Sequence, residues 1–340
     1  MLRTGHLITS DADDLYVQRK DKVYRYHHDD NLLLFSLKLP IWKRLCIRLR
    51  LCERLFRTEI RAASIFENKL FYVVSGRLYS FHLQNRVSKC ELIFRKGMKS
   101  PLGLTNVMGI EGFDDQICFG EYFSNKERES IHIWSYMNGK WKVAYTFPQG
   151  TIRHIHGIVA DKYRNCLYIL TGDRDSESVI WIAHDNFKSV KKLIWGNQQS
   201  RCCVLQPRKD CLVYATDSEY EKNGIYKVWV DKNGKIKREQ LFSLDASVIH
   251  GYISDENNLY FSTTVEPDKG GICTNQATVF KLDQDYKLYE LITDEKDKYS
   301  AKFFQYGYAV MLKNGNGLYV NYTATKKYDG IIVKLGDKND

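Results

Sequence analysis

One short apolar run returns seven times along the chain: LYVQR from Leu15, LFYVVS from Leu70, ICFGEY from Ile117, LYILTGD from Leu167, LVYATDS from Leu212, LYFSTT from Leu259 and LYVNYT from Leu318. Runs this short and this uniformly apolar are what strands buried on both faces look like. Each is followed by a second strand ending in polar turn residues, as in KVYRYHHDD, SVIWIAHDN and GIYKVWVDKNG. A third often comes next, as in KWKVAYTF and KREQLFSL, and a further strand precedes most copies. One of these, IHGIVAD at 155–161, has a relative in IHGYISD at 249–255. Asn-Gly and Asp-Asn steps between the later strands fit tight hairpins.

Four strands in a unit of roughly 50 residues, repeated in tandem, mark a β-propeller. The pattern predicts an all-β chain forming a single β-propeller domain over 1–340, with seven blades of four antiparallel strands. Six blades is the alternative count, because the first unit is weakly marked. Too few residues follow GIIVKLGD to finish the last blade, so a strand from the N-terminus is expected to complete it.

The segment 41–57, IWKRLCIRLRLCERLFR, departs from strand spacing. Apolar residues at 42, 45, 49, 52 and 56 form a helical stripe with six basic residues between them. It predicts one short basic amphipathic helix, inserted between blades one and two. The net charge is +10, and this segment supplies half of it. The remainder is nearly balanced and lacks interleaved aromatic and basic patches, which argues against nucleic acid as a partner. An anionic membrane surface or a protein partner suits the helix better. Packing of its apolar stripe against the propeller is the alternative.

No apolar run reaches membrane-spanning length, and the N-terminus lacks a signal-like stretch. The nine cysteines include no CxxC pair, and several lie in strand-like runs, so they read as reduced core residues. The expectation is a cytoplasmic protein, peripheral to the inner face of the membrane where the helix docks.

The turns SYMNGKW (135–141) and AHDNFKSV (183–190) resemble Asp-boxes, the BNR-repeat hairpins of sialidase-like propellers. Ser135, Gly139 and Trp141 stand near their places in the first, Asp185 and Ser189 in the second. The repeat as a whole is similar to the WD- and YVTN-type propeller superfamily. RHIH and GNQQSR are similar, more weakly, to propeller polysaccharide lyases, which cleave uronate polymers with His and Gln residues, some with a divalent ion. These resemblances imply the fold and a glycoside hydrolase- or lyase-like site. The chain has no Arg-Ile-Pro motif of the kind sialidases carry.

In a propeller, the lead-ins to first strands and the loops joining second to third strands share one rim. That rim gathers Glu121, Tyr122, Arg153, His154, Asp173, Gln198, Arg201, Asp217 and Asn223 around blades three to five. Acids, arginines and aromatics together suit an acidic glycan or its precursor. A hydrolase would pair Glu121 with Asp173 or Asp217. A lyase would use His154 or Tyr122, with Arg201 or a metal neutralising the uronate. Glu121, His154 and Asp173 are therefore the catalytic candidates, and Tyr122, Arg153, Gln198, Arg201, Asp217 and Asn223 the substrate-binding ones. Asp173 and Asp217 read equally well as loop caps, and Arg201 as the partner of an acidic loop.

His156 and His250 share a repeat position, each followed by Gly, which resembles the structural histidines of WD-type propellers. His154, His156 and His250 are also the candidate ligands of a divalent metal ion. Two functions stay open: a propeller that binds or processes a carbohydrate, and a non-catalytic scaffold for protein partners that reaches the membrane through 41–57.

Overall fold

The computed structural model describes residues 3–28, 30–98, 100–266 and 274–336. Cys273 and half of the loop 263–276 lie outside them. Seven four-stranded antiparallel sheets follow one another around a ring, with the first strands of successive blades meeting at the centre. The blades matter here are the third (Thr105–Val107, Gln116–Gly120, Ile131–Met137, Lys140–Phe147), the fourth (Ile155–Asp161, Cys166–Thr171, Val179–His184, Ser189–Trp195) and the fifth (Cys202–Pro207, Leu212–Thr216, Asn223–Val230, Ile236–Leu244). The seventh is closed by the chain's own beginning: Arg3–Thr4 pairs with Ile331–Leu335.

Burial explains which strand the sequence repeats most plainly. Each second strand is covered by a neighbouring blade on both faces, so Cys166–Thr171 is buried at every position. Outermost strands face water, and Ile236–Leu244 is mostly exposed. Between blades three and four the core interleaves Ile131, Ile133 and Phe147 with Leu167, Ile169 and Trp181. The outermost strands of blades one to six also carry a register shift, which twists an open edge away from pairing with another chain.

Both Asp-box-like turns are hairpins between third and fourth strands. Asn138 and Gly139 adopt φ of 51° and 77° in the first, the left-handed pair that a two-residue hairpin needs. Trp141 packs among Phe71, Phe119 and Tyr136, so it belongs to the core between blades two and three.

The expected single helix is two: α1 (Ile41–Cys46) and α2 (Arg50–Phe56), broken at Ile47–Leu49. The helix breaks because α2 is anchored through its arginines. Arg54 is almost wholly buried and donates to Asp297, Asp329 and the Phe304 carbonyl. Arg50 makes a bidentate pair with Asp329 and reaches Glu53, whose other oxygen faces His6. Helix α2 thus covers the seam where blades seven and one close. Helix α1 buries no residue and leaves Ile41, Trp42 and Leu45 exposed.

Candidate functional site

Blade four supplies the centre of the site, and a β-bulge decides which side chains it presents. Along its innermost strand Ile155 pairs with Thr171 and Gly157 with Leu170, leaving His156 as an extra residue. Blades five and six bulge at the same level, so Cys203 and Ile249 are the equivalents of His156. A bulge re-aims the extra side chain, and here it turns His156 to the rim beside His154.

His154 Nε2 and His156 Nε2 lie 3.2 Å apart. Asp173 Oδ1 is 3.5 Å from the first and 3.7 Å from the second. Each imidazole points its other nitrogen at a backbone carbonyl, His154 Nδ1 at Phe123 O (2.8 Å) and His156 Nδ1 at Cys202 O (3.3 Å). The Tyr122 ring lies 4.2 Å from the His154 ring, centroid to centroid.

Asp173 adopts φ of 114°, a backbone region that side chains rarely tolerate. Its carboxylate holds it there. Oδ2 takes a 2.6 Å hydrogen bond from Arg153 Nη1, and Oδ1 sits 3.3 Å from Arg201 Nη2. Burial alone would raise its pKa, but its closeness to His154 and His156 keeps the carboxyl far below its ordinary range. The preceding Gly172 allows this approach, since a Cβ there would lie 2.7 Å from Arg201 Cγ and 2.9 Å from His156 Cε1.

Arg201 is buried among three carboxylates, with Nη2 3.2 Å from both Asp217 Oδ2 and Glu219 Oε1. Among the described residues its Nε and Nη1 have no hydrogen-bond partner, and neither does Asp217 Oδ1. Burial pushes the Asp217 carboxyl up to about 7, with Arg201 pulling the other way. Burial also pushes the Cys203 thiol well up, so it stays protonated and donates toward Asp217 Oδ2 at 3.5 Å. It holds the His156 imidazole down to about 4, against the pull of Asp173, and it raises the Tyr122 phenol, which remains a neutral donor.

The structure brings together Tyr122, Arg153, His154, His156, Asp173, Arg201 and Asp217. Glu121 does not join them. Its carboxylate accepts from Arg95 (2.7 Å), the His132 N–H (2.9 Å) and Trp134 Nε1 (3.3 Å), bracing the rim of blade three. Gln198 and Asn223 are braces too: Gln198 donates to the Asp173 carbonyl and Asp175, and Asn223 ties Thr216 to Ser218. His250 stands apart from the His154–His156–Asp173 group. The bulge of blade six falls on Ile249, so His250 occupies the level of Gly157 and packs against Tyr308 at 4.8 Å. Burial and the nearby Arg61 push it down to about 4.

Arg61 is a site residue that the sequence reading passed over. It immediately precedes the first strand of blade two, stands near Tyr308, Glu59, Tyr122 and Tyr306, and makes no hydrogen bond or ion pair among the described residues. Its signal was positional, since it lies in the same kind of lead-in as Arg153 and Arg201. Below the rim, Gly157, Gly251, Val204, Leu205 and Tyr252 line a cavity of about 440 Å³ that His156, His250 and Cys203 adjoin.

This geometry defines the chain as a seven-bladed β-propeller with a polar, arginine-bearing site on one rim. Solved structures agree on the fold. A streptogramin B lyase structure is similar at TM-score 0.58 and 9% identity, covering 96% of this chain and 95% of that one. The AfRom2 CNH domain is similar at 0.58 and 10%, over 99% and 96%. A chain in a mitotic checkpoint complex is similar at 0.55 and 10%, over 99% and 94%. No protein-family model matches the chain, and the comparison with curated proteins finds no match. What these likenesses support of the resemblances drawn from the sequence is the propeller fold.

Proposed function

We propose that this propeller binds an acidic carbohydrate, a uronate or a related sugar acid, at the rim of blades three to five. The observation that carries the reading is Arg201, a buried guanidinium whose Nε and Nη1 have no hydrogen-bond partner among the described residues. Buried donors without acceptors are costly, on the order of 1–3 kcal/mol each, and the carboxylate and hydroxyl oxygens of a sugar acid offer an acceptor to each edge of the guanidinium. Arg61 offers a second guanidinium near Tyr122, whose ring suits the apolar face of a sugar. Two-carboxylate hydrolysis is not what these residues favour, because Glu121 is committed to Arg95 and Trp134 while Asp173 is held between arginines and imidazoles.

Calorimetric titration with galacturonate and glucuronate oligomers, sialic acid and neutral hexose oligomers tests this. Binding of the acids alone is expected, weakened about tenfold in Arg201→Lys, which keeps the charge and loses the fork. Equal binding of neutral sugars, or none of any kind, would end the proposal.

A second reading is favoured by α1 and the turn that follows it. Ile41 and Leu49 are 77% and 66% exposed, with Trp42 and Leu45 beside them and Lys43, Arg44 and Arg48 interspersed. Exposed apolar residues ringed by basic ones fit the surface of an anionic bilayer. The chain should then sediment with vesicles containing phosphatidylserine and not with phosphatidylcholine alone, and Trp42→Ala combined with Leu45→Ala should release it. Indifference to both vesicles would exclude it.

A further inference from the structure

We infer that His154, His156 and Asp173 form a binding site for one divalent transition-metal ion, zinc by its ligand set. The argument starts from protons. Carbonyl oxygens only accept, so Phe123 O and Cys202 O each place a hydrogen on the Nδ1 atom facing them. In the Nδ1–H tautomer fixed this way, each imidazole presents a bare lone pair at Nε2. Those lone pairs converge at 3.2 Å, and Asp173 Oδ1, also an acceptor, completes a triangle with edges of 3.5 and 3.7 Å. Three buried or nearly buried acceptors meeting at one point repel one another unless a proton or a cation lies between them.

The triangle has the size of a metal site. A point equidistant from three atoms at these separations lies about 2.0 Å from each, within the range of zinc–nitrogen and zinc–oxygen bonds. The carbonyl partners are the second half of the design, because a metal-ligating histidine ordinarily donates its other N–H to such a group, fixing the tautomer. Three protein ligands leave a fourth position for water or for an oxygen of a bound molecule. Arg201, 3.3 Å from Asp173, does not forbid the ion, since Asp217 and Glu219 also lie on that guanidinium. With Arg153, the cluster then holds two arginines and a divalent ion against three carboxylates, a net positive charge that suits an anionic ligand.

The inference stands on geometry alone and does not depend on the carbohydrate proposal. Zinc binding without uronate binding would remove that proposal and leave this one intact. The test is titration of chelator-stripped, full-length protein with zinc chloride, followed by calorimetry and metal analysis. One equivalent is expected, with affinity falling at least 100-fold in His154→Gln and in Asp173→Asn. His27 and His28, an adjacent exposed pair, are the obvious adventitious site. Replacing both with alanine should leave the stoichiometric site unchanged.

X-ray absorption of the wild-type protein with one equivalent of zinc needs no variant and should show two imidazoles on the ion. A zinc shell without two imidazoles, no binding at equimolar zinc, or loss of binding on replacing His27 and His28 would overturn the inference.

Discussion

Gly172 shows how closely the site is packed at the scale of single residues. The Cβ of Gly172→Ala would overlap both Arg201 and His156, so the two cannot keep their places together. We expect the variant to lose ligand and zinc affinity by tenfold or more, with a stability cost of about 1–3 kcal/mol. Calorimetry and thermal denaturation would check both, and full affinity with an unshifted melt would count against the packing argument. The same residues show what the sequence could reveal. Arg153, His154, Asp173, Arg201 and Asp217 were found because rim position follows from the repeat. His156 was hard to place because its Ile-His-Gly step recurs at His250. The two copies are offset by one residue relative to their partner strands, and no side-chain pattern records that offset. Cys203 was hidden in another way, since a cysteine in an apolar strand looks like core whichever way it points.

Among the elements, α2 carries a pH dependence of its own. Burial would raise the Glu53 carboxyl, but His6 and Arg50 hold it at about 2, below its ordinary 4.5. A depressed carboxyl stabilises the fold fully above pH 4.5, and that contribution is lost as pH falls toward 2. It is on the order of 3 kcal/mol. Glu53→Gln should therefore lower the melting temperature near neutral pH and flatten its decline between pH 4.5 and 2, which melting curves across that range would reveal. A parallel decline in both proteins would mean that Glu53 is not the group responsible. The helical stripe of 41–57 was legible, but its division was not. The break depends on Asp297 and Asp329, more than 240 residues away in sequence, which capture Arg54 and leave α1 outside.

In the whole molecule, ring closure rests on a short contact, Arg3 opposite Ile332 and Thr4 opposite Ile331. Removing residues 1–4 should lower the melting temperature and, by leaving Ile331–Leu335 as an open edge, cause concentration-dependent association. Light scattering across a dilution series would show it, and a monomer with an unchanged melt would show that closure contributes little. Blade number and order were readable because seven buried second strands keep their apolar character, whereas the exposed outer strands drift. The bulge has a consequence for design. Since His156, Cys203 and Ile249 occupy one level on successive blades, that level is a row of interchangeable sockets facing a common axis. A histidine grafted at Ile249 would add a third imidazole to the rim without altering any strand pairing, so the ring could be tuned for different guests while its scaffold stays fixed.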